Sequence, residues 1–241
     1  MISATAKETR RSTVAEPLVA FEAGGPIPSA PVRPAPRTET EEDRLLGGVC
    51  EVNERCLEML VNAARQEPEG SFALVRELRE ILKEADPAVR RRAACRSFLL
   101  VDMEFGNADW WRGAGSHLSE PAKLPYWRRS FPRATGTQLA RAVLLLAWNS
   151  LRLGRDPAAT RLLLGMTPEV SAVIVALRFD QIDRIAQKRF RFIRPRWDDR
   201  PAVWRRLLCA ARRGDAGPMA AFDVHGLQLL SGELMESAPR E

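Results

Sequence analysis

Two histidines, His117 and His225, and four cysteines, Cys50, Cys56, Cys95 and Cys209, are the whole stock of imidazole and thiol in this chain of 241 residues. No two cysteines have the CxxC spacing. A closed zinc site takes four Cys/His ligands in paired spacings, so no metal is assigned. The N-terminus carries Lys7, Glu8, Arg10 and Arg11 with no apolar stretch after them, unlike a secretory signal. Each cysteine is therefore expected as a buried free thiol in a reducing cytoplasm, with an intermolecular disulfide as the second reading. Nucleophile elbow, Walker loop, dinucleotide fingerprint and HExxH helix are all missing from the sequence. The acid pairs Asp198-Asp199 and Asp180/Asp183 sit among arginines, which keep carboxylates ionised and suit salt bridges better than general-acid work. His225, near the start of the last expected helix, reads as structural. No catalytic residue and no cofactor are assigned, and the chain is not expected to be an enzyme. A deep pocket gathering His117 or His225 with a carboxylate and a cysteine would reverse that expectation.

The stronger chemical signal is cationic. The chain carries 37 Lys+Arg against 31 Asp+Glu, and only Lys7, Lys83, Lys123 and Lys188 are lysines. A GC-rich genome inflates arginine in this way. So does selection for an anionic partner, because the guanidinium fork fits phosphate. The distribution is more telling than the total. Twelve bases against four acids lie between Arg178 and Arg213, a local excess above the +6 of the whole chain. At its centre, Lys188-Arg189-Phe190-Arg191-Phe192-Ile193-Arg194-Pro195-Arg196-Trp197 interleaves base and apolar residue. One side is expected to anchor on the core while Lys188, Arg189, Arg191, Arg194 and Arg196 face outward to DNA or a partner. A solvated, salt-bridged surface or an acidic protein partner is the competing reading.

The elements that would position this strip read as helices. Residues 1–42 hold six of the 17 prolines and few large apolar residues, and are expected to be a disordered tail. Residues 43–104 form an N-terminal helical region. Leu45, Val49, Val52, Cys56, Leu60 and Ala63 share one helical face, and Phe72, Leu74, Val75, Leu78, Ile81 and Leu82 another after Ser71. Asp86-Pro87 opens a third helix that runs towards Val101. Residues 105–136 are expected to be an irregular connector whose aromatics, Trp110, Trp111, Tyr126 and Trp127, dock on the helices. The alternative for them is an exposed patch for a partner. Residues 137–235 form a second helical domain, with helices opened by Asp156-Pro157 and Thr167-Pro168 and a last one near Met219–Leu234. No apolar run approaches the ~18 residues that suggest a membrane span. The fold class is therefore all-α: a helical bundle with a helix-turn-helix-like C-terminal half and a disordered N-terminal tail. Asp86–Arg112 and Asp180–Arg206 align without gaps with six identical pairs, among them Phe98/Phe192 and Trp110/Trp204. Two related halves would give a pseudo-two-fold arrangement.

Asp156–Leu177 has the look of a helix-turn-helix: a short helix, Gly165, then a second helix from Thr167-Pro168. A base-reading second helix presents polar side chains. This one runs Val170-Ser171-Ala172-Val173-Ile174-Val175-Ala176-Leu177, and Val173, Val175 and Leu177 are assigned to the core or a dimer interface instead. Over about residues 144–197 the chain resembles the flagellar transcriptional regulator FlhD. The residues that carry the likeness are Leu145-Leu146, Asp156 with Ala158-Ala159, Leu164-Gly165, Glu169, Ala176-Leu177, Gln181, Ile185-Ala186 and the basic end at Arg191 and Arg196. The resemblance implies a helical, dimerising activator subunit working with a zinc-binding FlhC-like partner, which supplies much of the DNA contact, and recruiting RNA polymerase to flagellar genes. The family is shorter than this chain. Its dimer-linking cysteine falls near Ile193, so that covalent link is not implied here.

The function expected from the sequence is thus a cytoplasmic transcriptional regulator subunit, acting on DNA as a homodimer or with a partner and with no membrane role. The alternative is a helical adaptor whose arginine-rich surface binds an acidic protein and never touches DNA.

Overall fold

Apolar residues recurring every three or four positions build ten helices among the described residues, which in this computed structural model are 40–66, 73–115 and 131–237. All of them belong to one compact unit, Glu39–Glu241. The expected tail lies outside the described residues except for its last three. So do Ser71, Phe72, His117, Tyr126 and Trp127.

Helix α1 (Glu41–Arg65) starts inside the stretch read as tail. The Thr40 hydroxyl accepts the Asp43 N–H at 3.1 Å and the Asp43 carboxylate accepts the Thr40 N–H at 3.0 Å, a reciprocal cap that a proline-rich reading overlooks. Its buried face holds Val49, Val52, Cys56 and Leu60 as the spacing predicts. Helix α2 (Ala73–Lys83) buries Leu74, Val75, Leu78 and Leu82. Helix α3 (Pro87–Ala94) is capped by Asp86, whose carboxylate accepts the Val89 N–H at 2.7 Å. It stops well short of Val101.

The connector is not wholly irregular. Helix α4 (Ala108–Gly115) lies within it, started by the Asn107 side chain, which accepts the Trp110 N–H at 3.0 Å. Trp111 is fully buried and Trp110 half-buried, so both tryptophans of this stretch that are described dock on the helices. Helix α5 (Arg133–Leu153) begins one turn before the expected boundary. Then follow α6 (Pro157–Leu164), α7 (Pro168–Val175), α8 (Phe179–Arg189), α9 (Pro201–Arg213) and α10 (Ala216–Glu236). The N-terminal helices do not form a core of their own: α9 lies across α2 and α3, while α1 packs on α5.

Two very short strands, β1 (Val101–Asp102) and β2 (Arg194–Pro195), pair antiparallel with Val101 opposite Pro195 and Asp102 opposite Arg194. The alignment that matches Asp86 to Asp180 also matches Val101 to Pro195. Val101 and Pro195, matched in that alignment, therefore stand opposite one another, the placement that a local two-fold axis between related stretches would require. Next to this pair, the Arg196 N–H donates to the Leu100 carbonyl at 2.8 Å.

The cysteines depart from expectation. Cys50 of α1 and Cys95, the residue that ends α3, are joined as a disulfide across 45 residues. Such proximity arises from helix packing and leaves no mark in local spacing. Cys56 is a buried free thiol, as expected, and burial pushes its pKa up; Cys209 is free and half-buried.

Candidate functional site

The cationic strip divides in two because its backbone is not one extended run. After α8 the chain makes a 3-10 turn over Phe190–Phe192, and only then extends into β2. Lys188 and Arg191 are exposed and Arg189 is half-buried. The Arg189 guanidinium lies over the Trp110 ring, 5.1 Å from its centroid, and that of Arg191 lies 5.7 Å from the centroid of Phe190. Burial lowers the Arg189 pKa. Lys188, Arg189 and Arg191 have no ion-pair partner among the described residues. Arg133 adds a cation that the sequence reading did not single out. It is exposed on the first turn of α5, one turn before Gly136, which packs against the Phe190 ring. This outward half is a small cationic edge backed by aromatic rings.

Arg194 and Arg196 are not on that edge, which corrects their assignment as outward contacts. Alternate residues of a strand share a face, and pairing with β1 turns both towards Asp102. Arg194 donates from Nε at 3.2 Å and from Nη2 at 3.0 Å to Asp102 Oδ2, and it also pairs with Asp198. The Arg196 side chain is only 4% exposed. Its Nε donates to the Leu99 carbonyl at 3.2 Å, Nη1 to Glu233 Oε2 at 3.0 Å, and Nη2 to the carbonyls of Leu164 and Val101. Those carbonyls come from α6 and from the stretch leading into β1, while Glu233 stands on α10. One guanidinium thus ties three parts of the fold together. The Leu164 carbonyl lies at the C-terminal end of α6, where the helix dipole favours a cation.

Two residues beside this cluster adopt the left-handed backbone region: Glu104 at φ 56° and Trp197 at φ 57°. Their surroundings hold them there. The Glu104 carbonyl accepts the Trp111 indole N–H at 3.0 Å, and the Trp197 indole donates to Glu233 Oε1 at 2.6 Å. They line an open polar cleft of about 360 Å³ together with Asn107, Arg200, Glu236 and Ser237. Asp102, Arg194, Arg196 and Glu233, which also line it, pair with one another.

Burial raises the Asp102 pKa, but the guanidiniums of Arg196 and Arg194 outweigh it. With hydrogen bonds from the Phe105 N–H and Arg194 they hold the carboxyl below the usual range. Ionised Asp102 therefore contributes stability that is complete above its unfolded pKa of about 4. That contribution is lost as pH falls through the lower folded value. Asp102→Asn is expected to reduce stability by about 2–3 kcal/mol near pH 7, with the difference from wild type shrinking as pH falls towards 3. Urea denaturation across that range checks it; a difference that stays constant with pH would contradict the shift.

The helix-turn-helix expectation has a geometric counterpart. The axes of α6 and α7 meet at 102° across the three-residue turn Gly165-Met166-Thr167. Helix-turn-helix pairs cross at about 90–120° over turns of this length. Gly165 takes φ 65°, and Asp156 and Thr167 cap the two helices through their side chains. Val170, Ser171, Ile174 and Leu177 are buried, and Val173 and Val175 are half-buried against the core. At the exposed start of α7 stands Glu169. That helix offers a carboxylate and small apolar residues, a poor surface for base edges.

Sequence reasoning missed Asp102 and Glu233. The one available signal was Asp102 itself, a lone charge in the apolar run Phe98-Leu99-Leu100-Val101-Asp102-Met103, where burial demands a cationic partner. No protein-family model, curated protein or solved structure matches the chain. Among the described residues, no single helix is long and apolar enough to cross a membrane.

Proposed function

We propose that the chain is a regulatory subunit of FlhD-like type that touches nucleic-acid phosphate through Lys188, Arg189 and Arg191, with Arg133 beside them. In this reading it leaves base recognition to other members of its assembly, an FlhC-like zinc-binding subunit first among them, and helps bring RNA polymerase to the promoter. The observation that carries it is the cationic edge itself: three bases within four residues, none with a carboxylate partner among the described residues, two of them, Arg189 and Arg191, set on aromatic rings. The right-angled α6–α7 pair supports the regulator class, and the apolar, acid-tipped α7 supports backbone contact over base reading.

Mobility shift on duplex DNA, with and without a candidate partner subunit, tests the proposal. Three or four phosphate contacts predict a log–log salt slope of about −3, at ~0.9 per contact. The triple variant K188E/R189E/R191E is expected to abolish the shift while keeping the helical circular dichroism signal. No salt-dependent shift under either condition would defeat the DNA reading.

The adaptor reading keeps a specific observation in its favour: Arg194 and Arg196 spend their charge on internal carboxylates, leaving a short edge for a long polyanion. Under it, the same triple variant loses an acidic protein in a pull-down from which no nucleic acid is recovered.

A further inference from the structure

The Cys50–Cys95 disulfide lies in a place where it can open without unfolding the chain. Cys95 is exposed and Cys50 half-buried, so small thiols have access. One turn along α1 from Cys50, Asn53 is fully buried and holds the chain on both sides of Cys95. Its Nδ2 donates to the carbonyls of Ala94 at 3.0 Å and Phe98 at 2.9 Å, and its Oδ1 accepts the Leu100 N–H at 2.7 Å. Three hydrogen bonds thus run beside the covalent tie and can hold the segment against α1 without it.

What the bond adds is firmness at the near end of that segment, where α10 is anchored. Arg96 donates from Nη1 to Asp223 Oδ2 at 2.9 Å and to the Met219 carbonyl at 3.3 Å, both on α10. Phe98 stacks on Phe222 of the same helix, with 6.2 Å between ring centroids. The polar half of this anchor is incomplete. Arg96 Nε and Asp223 Oδ1 are buried with no hydrogen-bond partner among the described residues. Burial raises the Asp223 pKa despite the Arg96 charge beside it. A half-made contact depends on how tightly its backbone is held, and Arg96 adjoins the disulfide.

We propose that Cys50 and Cys95 form a reversible thiol–disulfide clasp that sets how firmly α10 is anchored through Arg96 and Phe98. The oxidant is a small-molecule disulfide. The exposed Cys95 thiolate attacks one of its sulfurs, giving a mixed disulfide and releasing one thiolate. The Cys50 thiolate then attacks Cys95 Sγ, closing the protein disulfide and releasing the second thiolate. The two protons from the cysteines leave on those thiols, so the protein loses two electrons and the small disulfide gains them. A small thiol in excess runs the exchange backwards.

The test uses the full chain in glutathione buffers of graded thiol-to-disulfide ratio, with native alkylation, peptide mass spectrometry and hydrogen exchange. The clasp predicts a Cys50–Cys95 bond that opens and closes while the helical signal is unchanged. It predicts exchange in residues 216–236 at least about threefold faster in the reduced protein, and in C50S/C95S under every buffer. C50S is expected to trap glutathione on Cys95. The clasp is overturned if the two cysteines stay unlinked at every ratio, or if α10 exchanges equally in both states. It is overturned equally if reduction speeds exchange throughout the chain, because the bond is then a structural staple.

Discussion

Replacing Arg196 by alanine is expected to lower stability by about 3–5 kcal/mol, the range for removing one partner of a buried ion pair. Glu233 loses its cation and Asp102 keeps only Arg194. The carbonyls of Leu99, Val101 and Leu164 lose their donor. For a chain of this length the midpoint of thermal unfolding falls on the order of 10 °C. Arg196→Lys recovers little, since one ammonium cannot reach donor positions spread around a planar fork. The measurement that separates this role from a surface role is DNA or partner binding at low temperature, where the variant is still folded. Binding unchanged while stability collapses fits the buried tie. A weakened complex with normal stability would return Arg196 to the binding edge.

The contrast between the two halves of the strip shows what the sequence can and cannot convey. Helix starts are local, so Asp86-Pro87, Asp156-Pro157 and Thr167-Pro168 announce themselves, and each proves to be a side-chain cap. The apolar faces of α1 and α2 are equally local and equally legible. Arg189 and Arg191 stay outside because their own helix end and turn place them there. Arg194 and Arg196 belong to the same run of letters, yet their orientation is decided by Asp102, 92 residues earlier. Glu233, 37 residues later, completes the trap. Charge density alone cannot tell a guanidinium facing water from one facing a carboxylate that only the fold supplies. The Cys50–Cys95 pair was hidden for the same reason.

This coupling reaches the helix-turn-helix turn, and there it yields the second large effect. Gly165→Ala is expected to lower stability by about 3–5 kcal/mol, well beyond the ~1–2 kcal/mol that a left-handed backbone costs an alanine. Gly165 sits at φ 65° directly over the Arg196 guanidinium, and a Cβ there would lie 2.5 Å from Nη2. A guanidinium normally swings aside. This one is held by Leu99, Val101, Leu164 and Glu233, so making room means giving up part of the buried tie. Gly214, at φ 75° with nothing within 4 Å of an added Cβ, isolates the backbone part of the effect; Gly214→Ala is expected to cost only about 1–2 kcal/mol. A double-mutant cycle completes the argument. In an Arg196→Ala background the obstruction is gone, so Gly165→Ala should fall to the Gly214 value, leaving a coupling energy of about 2–3 kcal/mol. Urea denaturation of the four proteins measures it. Additive effects would mean that turn and cation are energetically separate; coupling of that size would tie the α6–α7 turn energetically to Arg196.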